Sequence, residues 1–203
     1  MKKNISIYLF FLILIINSST TSAENKVEHK IAVLVNENVI TSYDIIQRLK
    51  LTAIMQGINL NAENNQLMIN NVVDELIHEK VKLEKIDEYK INIDEEEYLK
   101  FESDFFIRNN LDQSNVLLLL EKNNINYQEL KDLLIKELSW VKLISGLYLR
   151  LTSASNIEID EIMSKNPNIS VEQAQNLVKQ RQLDLYSSKL LRDIMNEATI
   201  EYR

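Results

Sequence analysis

The chain is poor in the residues that most compact catalytic motifs require. Its 203 residues include no cysteine, two glycines, one proline and two histidines. The lack of cysteine excludes disulfides, thiolate nucleophiles and cysteine-ligated zinc. Two glycines are too few for a glycine-rich phosphate loop or a turn-dense β-sandwich, because each needs several positive-φ positions. The remaining composition, 45% hydrophobic and 26% charged, is typical of a folded helical protein.

The first 23 residues have the layout of a secretory signal peptide. Lys2 and Lys3 form a short basic start, and Ile5–Ile16 is an apolar run interrupted only by Ser6. Spanning a bilayer takes roughly 20 apolar residues, so this run is short for a permanent anchor. We therefore expect a cleaved signal peptide, with a membrane anchor as the less favoured alternative.

A cleavage site follows the apolar run. Thr21 and Ala23 occupy the −3 and −1 positions of a small-x-small site, which makes Glu24 the expected first mature residue. Loss of Lys2 and Lys3 would leave 21 of the 23 basic residues against 30 acidic ones. A nucleic-acid partner is disfavoured, because binding a phosphate backbone requires a basic surface.

Residues 31–41 have the pattern of a β-hairpin. Two β-branched runs, Ile31–Val35 and Val39–Thr41, flank the turn-prone triplet Asn36–Asn38. Thr41 or Ser42 can then cap a helix that ends near Gly57.

Apolar residues at three- and four-residue spacing predict the remaining helices. They cover about 64–89, 95–106, 113–122, 127–151 and 171–197, and an uncertain helical turn covers 157–164. Residues 198–202 alternate like a strand. The predicted fold is mainly α, a helical bundle with a small antiparallel β element made by the N-terminal hairpin and the C-terminal strand.

Polar side chains with catalytic or metal-binding potential are few. His78 lies four residues after Asp74 without an evident third ligand, and His29 precedes the first strand. The acidic run Asp94–Glu97 is typical of a helix cap and first turn, since adjacent carboxylates on a helix do not converge. We expect no catalytic residue, no metal site and no cofactor.

Four aromatic residues recur on one predicted helix, and they form either core or a surface that binds other polypeptides. They are Tyr98, Phe101, Phe105 and Phe106. Core is the more common fate of such a pattern. Phe105 and Phe106 are consecutive and point about 100° apart, so one of them should be partly exposed. We expect that residue to be Phe106.

The opening of the mature chain resembles that of SurA-type periplasmic chaperones. In that family a strand, an asparagine-containing turn, an Ile-Thr step and an aspartate in the first helical turn follow one another. The resemblance covers IAVLVNENVITSYDIIQRL, residues 31–49, with matches at Val35-Asn36, Ile40-Thr41 and Asp44.

Later segments are similar to the same family in order and texture. Residues 72–86, 92–98 and 127–144 resemble helices of its N-terminal domain, and 190–203 resemble its closing helix and strand. The resemblance divides the chain into a signal peptide (1–23), an N-terminal helical domain (24–151), a linker (152–170) and a C-terminal helix and strand (171–203) that pack back on that domain.

The family usually carries parvulin-type prolyl isomerase domains where this chain has residues 152–170. Such a domain needs on the order of 100 residues, and its glycines and histidines are missing here. The resemblance therefore implies a chaperone without isomerase activity.

The function implied is a periplasmic holdase that binds unfolded outer-membrane protein precursors without ATP. Its client-binding residues would be Tyr98, Phe101, Phe105 and Phe106. One alternative is an envelope adaptor or structural subunit that holds a single folded partner. A minor alternative is residual peptidyl-prolyl isomerase activity at an unrecognised site.

Overall fold

The computed structural model of the protein describes residues 30–59 and 62–203. The predicted signal peptide, its cleavage site at Ala23 and Glu24, and His29 lie outside these residues.

Seven α-helices and three short strands make up the described part of the chain. The strands are β1 (Ile31–Val35), β2 (Asn38–Thr41) and β3 (Ile200–Tyr202). The helices are α1 (Ser42–Gln56), α2 (Ala62–Glu88), α3 (Glu95–Arg108), α4 (Gln113–Lys122), α5 (Tyr127–Tyr148), α6 (Asn156–Lys165) and α7 (Val171–Glu197). A 3₁₀ turn, Leu149–Leu151, follows α5. The mainly helical fold class is confirmed.

The three strands form one antiparallel sheet in the order β2-β1-β3. The C-terminal strand pairs with β1, with Val33 opposite Tyr202 and Val35 opposite Ile200. The prediction that residues near 200 complete the hairpin is therefore confirmed. A third strand matters because an isolated two-stranded hairpin is marginally stable in water.

The hairpin turn is held by Asn36, whose φ is +51°. Its backbone N–H donates to the carbonyl of Thr199 at 2.8 Å, and its Oδ1 accepts from the Thr199 N–H at 2.9 Å. Its Nδ2 donates to Glu84 on α2 at 2.8 Å, and Asn38 donates to the other oxygen of Glu84 at 2.6 Å. One asparagine thus joins the hairpin, the C-terminal strand and α2.

Capping boxes begin four of the helices. In each box a side chain accepts a hydrogen bond from the third helical residue, whose own side chain accepts one from the cap backbone. The pairs are Thr41 with Asp44, Asp94 with Glu97, Ser155 with Glu158, and Ser170 with Gln173. Thr41, rather than Ser42, is therefore the cap of α1.

Four helices end in a left-handed residue followed by an apolar one, as in the Schellman motif. The left-handed residues are Gly57, Lys90, Asn110 and Asn124, with φ between 52° and 64°. The N–H groups of Ile58, Ile91, Leu111 and Ile125 donate to carbonyls five positions earlier at 2.9–3.2 Å. Asparagine and lysine therefore stand where glycine is common, which is how a chain with two glycines makes these turns.

The core consists of four apolar clusters. One joins the sheet to α2 and the end of α7; a second joins α1, α3, α4 and α5; a third joins α2, α5 and the middle of α7. The fourth joins α6 to the beginning of α7.

Residues 149–170 differ in detail from the sequence prediction. The long helix α5 ends at Tyr148 and tightens into the 3₁₀ turn, instead of continuing to Leu151. The predicted linker contains a full ten-residue helix, α6, with a capped start. Ile159 and Ile162 are buried against α7, so this segment is a packed element.

Candidate functional site

The four predicted client-binding aromatics lie on α3 and divide into two pairs. Tyr98 and Phe106 are core residues, 2% and 4% exposed, whereas Phe101 and Phe105 are half-buried. The expectation that Phe106 is the exposed member of its pair is wrong. The reason is helical phase: Tyr98, Glu102 and Phe106 recur every four residues and share the inward face of α3.

A buried polar network ties the inward face of α3 to α5. The Tyr98 hydroxyl donates to Glu102 at 2.8 Å and lies 2.6 Å from the Tyr127 hydroxyl, which also donates to Glu102. Burial raises the pKa of Tyr98, and its hydrogen bonds to Tyr127 and Glu102 raise it further. Burial and Glu102 likewise raise the pKa of Tyr127. The Glu102 carboxylate is thus held inside the helix pair, and this network has a positioning role.

Phe101 and Phe105 flank the same core at the edge of α3. The rings of Phe105 and Phe106 meet edge to face at 5.6 Å, and the Arg108 guanidinium lies 5.6 Å from the Phe101 ring centre. Neither Phe101 nor Phe105 lines one of the cavities described next. Only these two of the four predicted residues retain a surface that a client could touch.

An open groove lies between the end of α1 and α4, and we call it the α1–α4 groove. Its volume is about 440 Å³, with apolar walls formed by Ala53, Ile54, Ile58 and Leu119. Ile58 is 38% exposed, while Ile54 and Leu119 are half-buried. Its polar members are Lys50, Asn59 and Asn123. Polar groups thus make up nearly half of the lining, and the apolar part is the wall formed by the four apolar side chains.

The groove was missed by sequence reasoning although α4 carries a signal for it. Residues 117–120 are four consecutive leucines, and successive helical positions point about 100° apart. Leu120 is buried, Leu119 is half-buried, and Leu117 and Leu118 are 38% and 62% exposed. A four-leucine run on a ten-residue helix therefore places apolar side chains beside solvent.

A partly buried ion-pair triad connects α1, α2 and α5. Glu79 accepts from Arg48 and, at 2.6 Å, from Lys136. Burial raises the pKa of Glu79, but the charges and hydrogen bonds of Arg48 and Lys136 outweigh burial and hold that pKa below its ordinary value. Cavities of about 210 and 110 Å³ flank the triad. Because Glu79 is fully engaged, the triad is a structural tie between helices.

His78 lines the larger of these two cavities, near Glu75 and Glu79. Within residues 30–59 and 62–203, no group of three histidine, aspartate or glutamate side chains is placed to hold a metal ion. None of the helices that the structure describes is long and apolar enough to cross a membrane.

Comparison with known proteins finds distant likenesses among solved structures. Neither a scan against protein-family models nor a search of curated proteins finds a match. Among solved structures, the chain is similar to one of two structurally related SurA-like chaperones of the human pathogen Campylobacter jejuni, the virulence factor PEB4 and the periplasmic protein Cj1289. The identity is 15%, the similarity covers 85% of this chain and 98% of that chain, and the TM-score is 0.38. A likeness this distant assigns no function by itself.

Proposed function

We propose that the protein is a periplasmic, ATP-independent holdase for unfolded outer-membrane protein precursors. The observation that carries this proposal is the α1–α4 groove, an open groove of about 440 Å³ with one apolar wall. Exposed apolar patches on folded proteins mark sites that bind other molecules. The resemblance of residues 31–49 to SurA-type chaperones supports the choice of an unfolded polypeptide as the occupant.

The proposed mechanism is reversible burial of apolar client side chains. A client segment contacts Ile54, Ile58 and Leu119, and its apolar surface is thereby withheld from aggregation. The groove is shallow and open, so each contact contributes little and the client leaves readily. The excess of 30 acidic residues over the 21 basic residues that remain after loss of Lys2 and Lys3 opposes self-association of the holdase.

We propose that binding proceeds without catalysis. Residues 152–170, which stand where related chaperones carry isomerase domains, form α6 and its flanking loops. The carboxylates of Glu79 and Glu102 are both engaged by neighbouring side chains that hold helices together, which supports a structural role for each.

A substitution of Ile58, the most exposed apolar residue of the groove, tests whether clients bind there. Ile58→Ser should weaken the ability of the protein to delay aggregation of a denatured outer-membrane β-barrel, measured by light scattering without ATP. The matched control is Leu67→Ser on α2, which is 68% exposed and lies outside the groove. Both variants should keep their helix content, measured by circular dichroism.

Two outcomes would contradict the proposal. If the wild type, Ile58→Ser and Leu67→Ser delay β-barrel aggregation equally, the client-binding site does not lie in the groove. No protection by the wild type at any ratio, together with recovery of one stoichiometric folded partner from the envelope, would favour the adaptor alternative.

A further inference from the structure

The two halves of helix α7 pack into different apolar clusters, and they do so with nearly opposite faces of the helix. Ala174 and Val178 are buried against α6, whereas Leu183 and Leu190 belong to the cluster with α2 and α5. The five residues from Val178 to Leu183 turn the helix by roughly 140° at 100° per residue. The first half of α7 is therefore covered by α6 and the second half by the bundle.

The cluster between α6 and α7 has the fewest buried residues of the four apolar clusters. Its buried members are Ile159, Ile162, Ala174 and Val178, all from these two helices. A polar clamp closes the other end of the pair: the Gln182 side chain donates to the Ser153 carbonyl at 2.7 Å and accepts from its N–H at 2.9 Å. This clamp is exposed. Segments with few buried apolar contacts and exposed hydrogen bonds open at lower free-energy cost than the rest of a protein.

The apolar face of α7 is longer than the helix that covers it. Leu185 follows Val178 by seven residues, which places it on the same side of the helix, and it is 66% exposed. Leu177 and Val171, at the edge of this face, are 48% and 51% exposed. A cavity of about 280 Å³ runs beside Ile162 and Leu177. The face from Val171 to Leu185, which we call the α7 face, thus extends past α6.

We propose that α6 is a displaceable cover on a second client-binding site, the α7 face. This inference rests on the proposed holdase function and adds a site to it. The occupant is an amphipathic segment of an unfolded polypeptide, because the segment that covers the α7 face in the structure, α6, is itself amphipathic. Its apolar residues Ile159, Ile162 and Met163 recur at the spacing of one helical face.

A labelled peptide with the sequence of residues 155–166 is the probe for the uncovered face. The test protein carries Ile159→Cys and Val178→Cys, which pack in one cluster. The natural chain has no cysteine, so this pair makes the one possible intramolecular disulfide. Thiol titration reports its closure. The reduced double variant should bind the peptide in an anisotropy titration, and the oxidised form should not.

Hydrogen exchange tests the opening of α6 without a core substitution. In the wild type, amides of α6 should exchange faster than those of α5. Gln182→Ala removes both clamp hydrogen bonds and should speed exchange in α6 by about three- to tenfold, with α5 unchanged. Gln182→Ala should also bind the peptide more tightly than the wild type.

The outcomes separate this inference from the holdase proposal. Two results would show that α6 is not a displaceable cover. One is equal peptide binding by the oxidised and reduced forms, and the other is hydrogen exchange at the same rate in α6 and α5. If oxidation abolishes peptide binding while the wild type never delays β-barrel aggregation, the cover stands and the holdase proposal fails. If aggregation is delayed equally by the oxidised and reduced forms, the holdase proposal stands and the client site under α6 is rejected.

Discussion

Asn36, a half-buried polar residue, holds three parts of the fold together. Its left-handed φ is tolerated by asparagine, and its side chain both donates to Glu84 and accepts from Thr199. Sequence reasoning placed a turn at residues 36–38 but gave no single asparagine special weight. The importance of Asn36 depends on a partner, Thr199, that lies 163 positions away in the chain, and a local sequence pattern does not predict such a contact.

Asn36→Asp should destabilise the protein through Glu84. Aspartate keeps the acceptor for the Thr199 N–H but places a second carboxylate beside Glu84. Loss of one hydrogen bond plus like-charge repulsion should lower the free energy of unfolding by about 1–2 kcal/mol, measured with urea at pH 7. The double variant Asn36→Asp/Glu84→Gln should recover most of that loss. No recovery in the double variant would show that Glu84 is not the source of the effect.

Phe105 and Phe106 illustrate a limit of reasoning from helical spacing. The sequence shows that one of two consecutive aromatics must leave the core, but the choice depends on the rotation of α3 about its axis. That rotation is set by the network of Tyr98, Glu102 and Tyr127, which a one-residue shift would break. A glutamate on an otherwise apolar face was the available signal.

At the scale of elements, capped helix starts are the most predictable features. Caps such as Asp94 and Ser170 act through bonds to residues three positions away, so the local sequence is sufficient to find them. The helix α6 was less predictable because Ile157 is 80% exposed and the buried residues Ile159 and Ile162 gain their partners only from α7. The α1–α4 groove is not predictable from local sequence for the same reason, since its walls come from two helices.

The left-handed residue after α2 offers a stabilising substitution. Lys90 has a φ of +52° and an exposed side chain. Lys90→Gly should remove backbone strain and raise the free energy of unfolding by roughly 0.5–1 kcal/mol, which is about 2 °C in melting temperature.

The matched control for Lys90→Gly is Lys100→Gly within α3. Lys100 is also exposed but lies in a helix interior, where glycine should lower the free energy of unfolding by about 1 kcal/mol. The same substitution is thus expected to act with opposite sign at the two sites. A loss of stability at both sites, measured by thermal unfolding, would show that Lys90 is unstrained.

At the scale of the whole molecule, three helices meet at Glu79. Its folded-state pKa lies below its ordinary value of 4.5, so its contribution to stability is present above that pH and is lost as the pH falls through the lower folded value. Glu79→Gln should destabilise the protein at pH 7 by roughly 1–2 kcal/mol, because Arg48 and Lys136 lose their counter-charge and the partial exposure of Lys136 screens part of the effect.

The Glu79 prediction is checked by urea unfolding between pH 7 and pH 2. Below pH 4.5 the wild type should lose stability more steeply than Glu79→Gln, so that the two curves converge. Glu161→Gln is the control: Lys165 also lowers the pKa of Glu161, but their pair on α6 is exposed and screened by solvent, so its loss should change the acid profile much less. Parallel profiles for wild type and Glu79→Gln would mean that the triad contributes no pH-dependent stability.

The pairing of β3 with β1 also sets the order of events during folding. During synthesis the residues of the N-terminal hairpin are made first. Asn36 cannot form its hydrogen bonds with Thr199 until that residue, 163 positions later in the chain, has been made. Contacts so distant in sequence form slowly, because a long loop must close before they contribute. The three-stranded sheet therefore remains incomplete until β3 has been synthesised, and a chain cut short before residue 199 cannot close it.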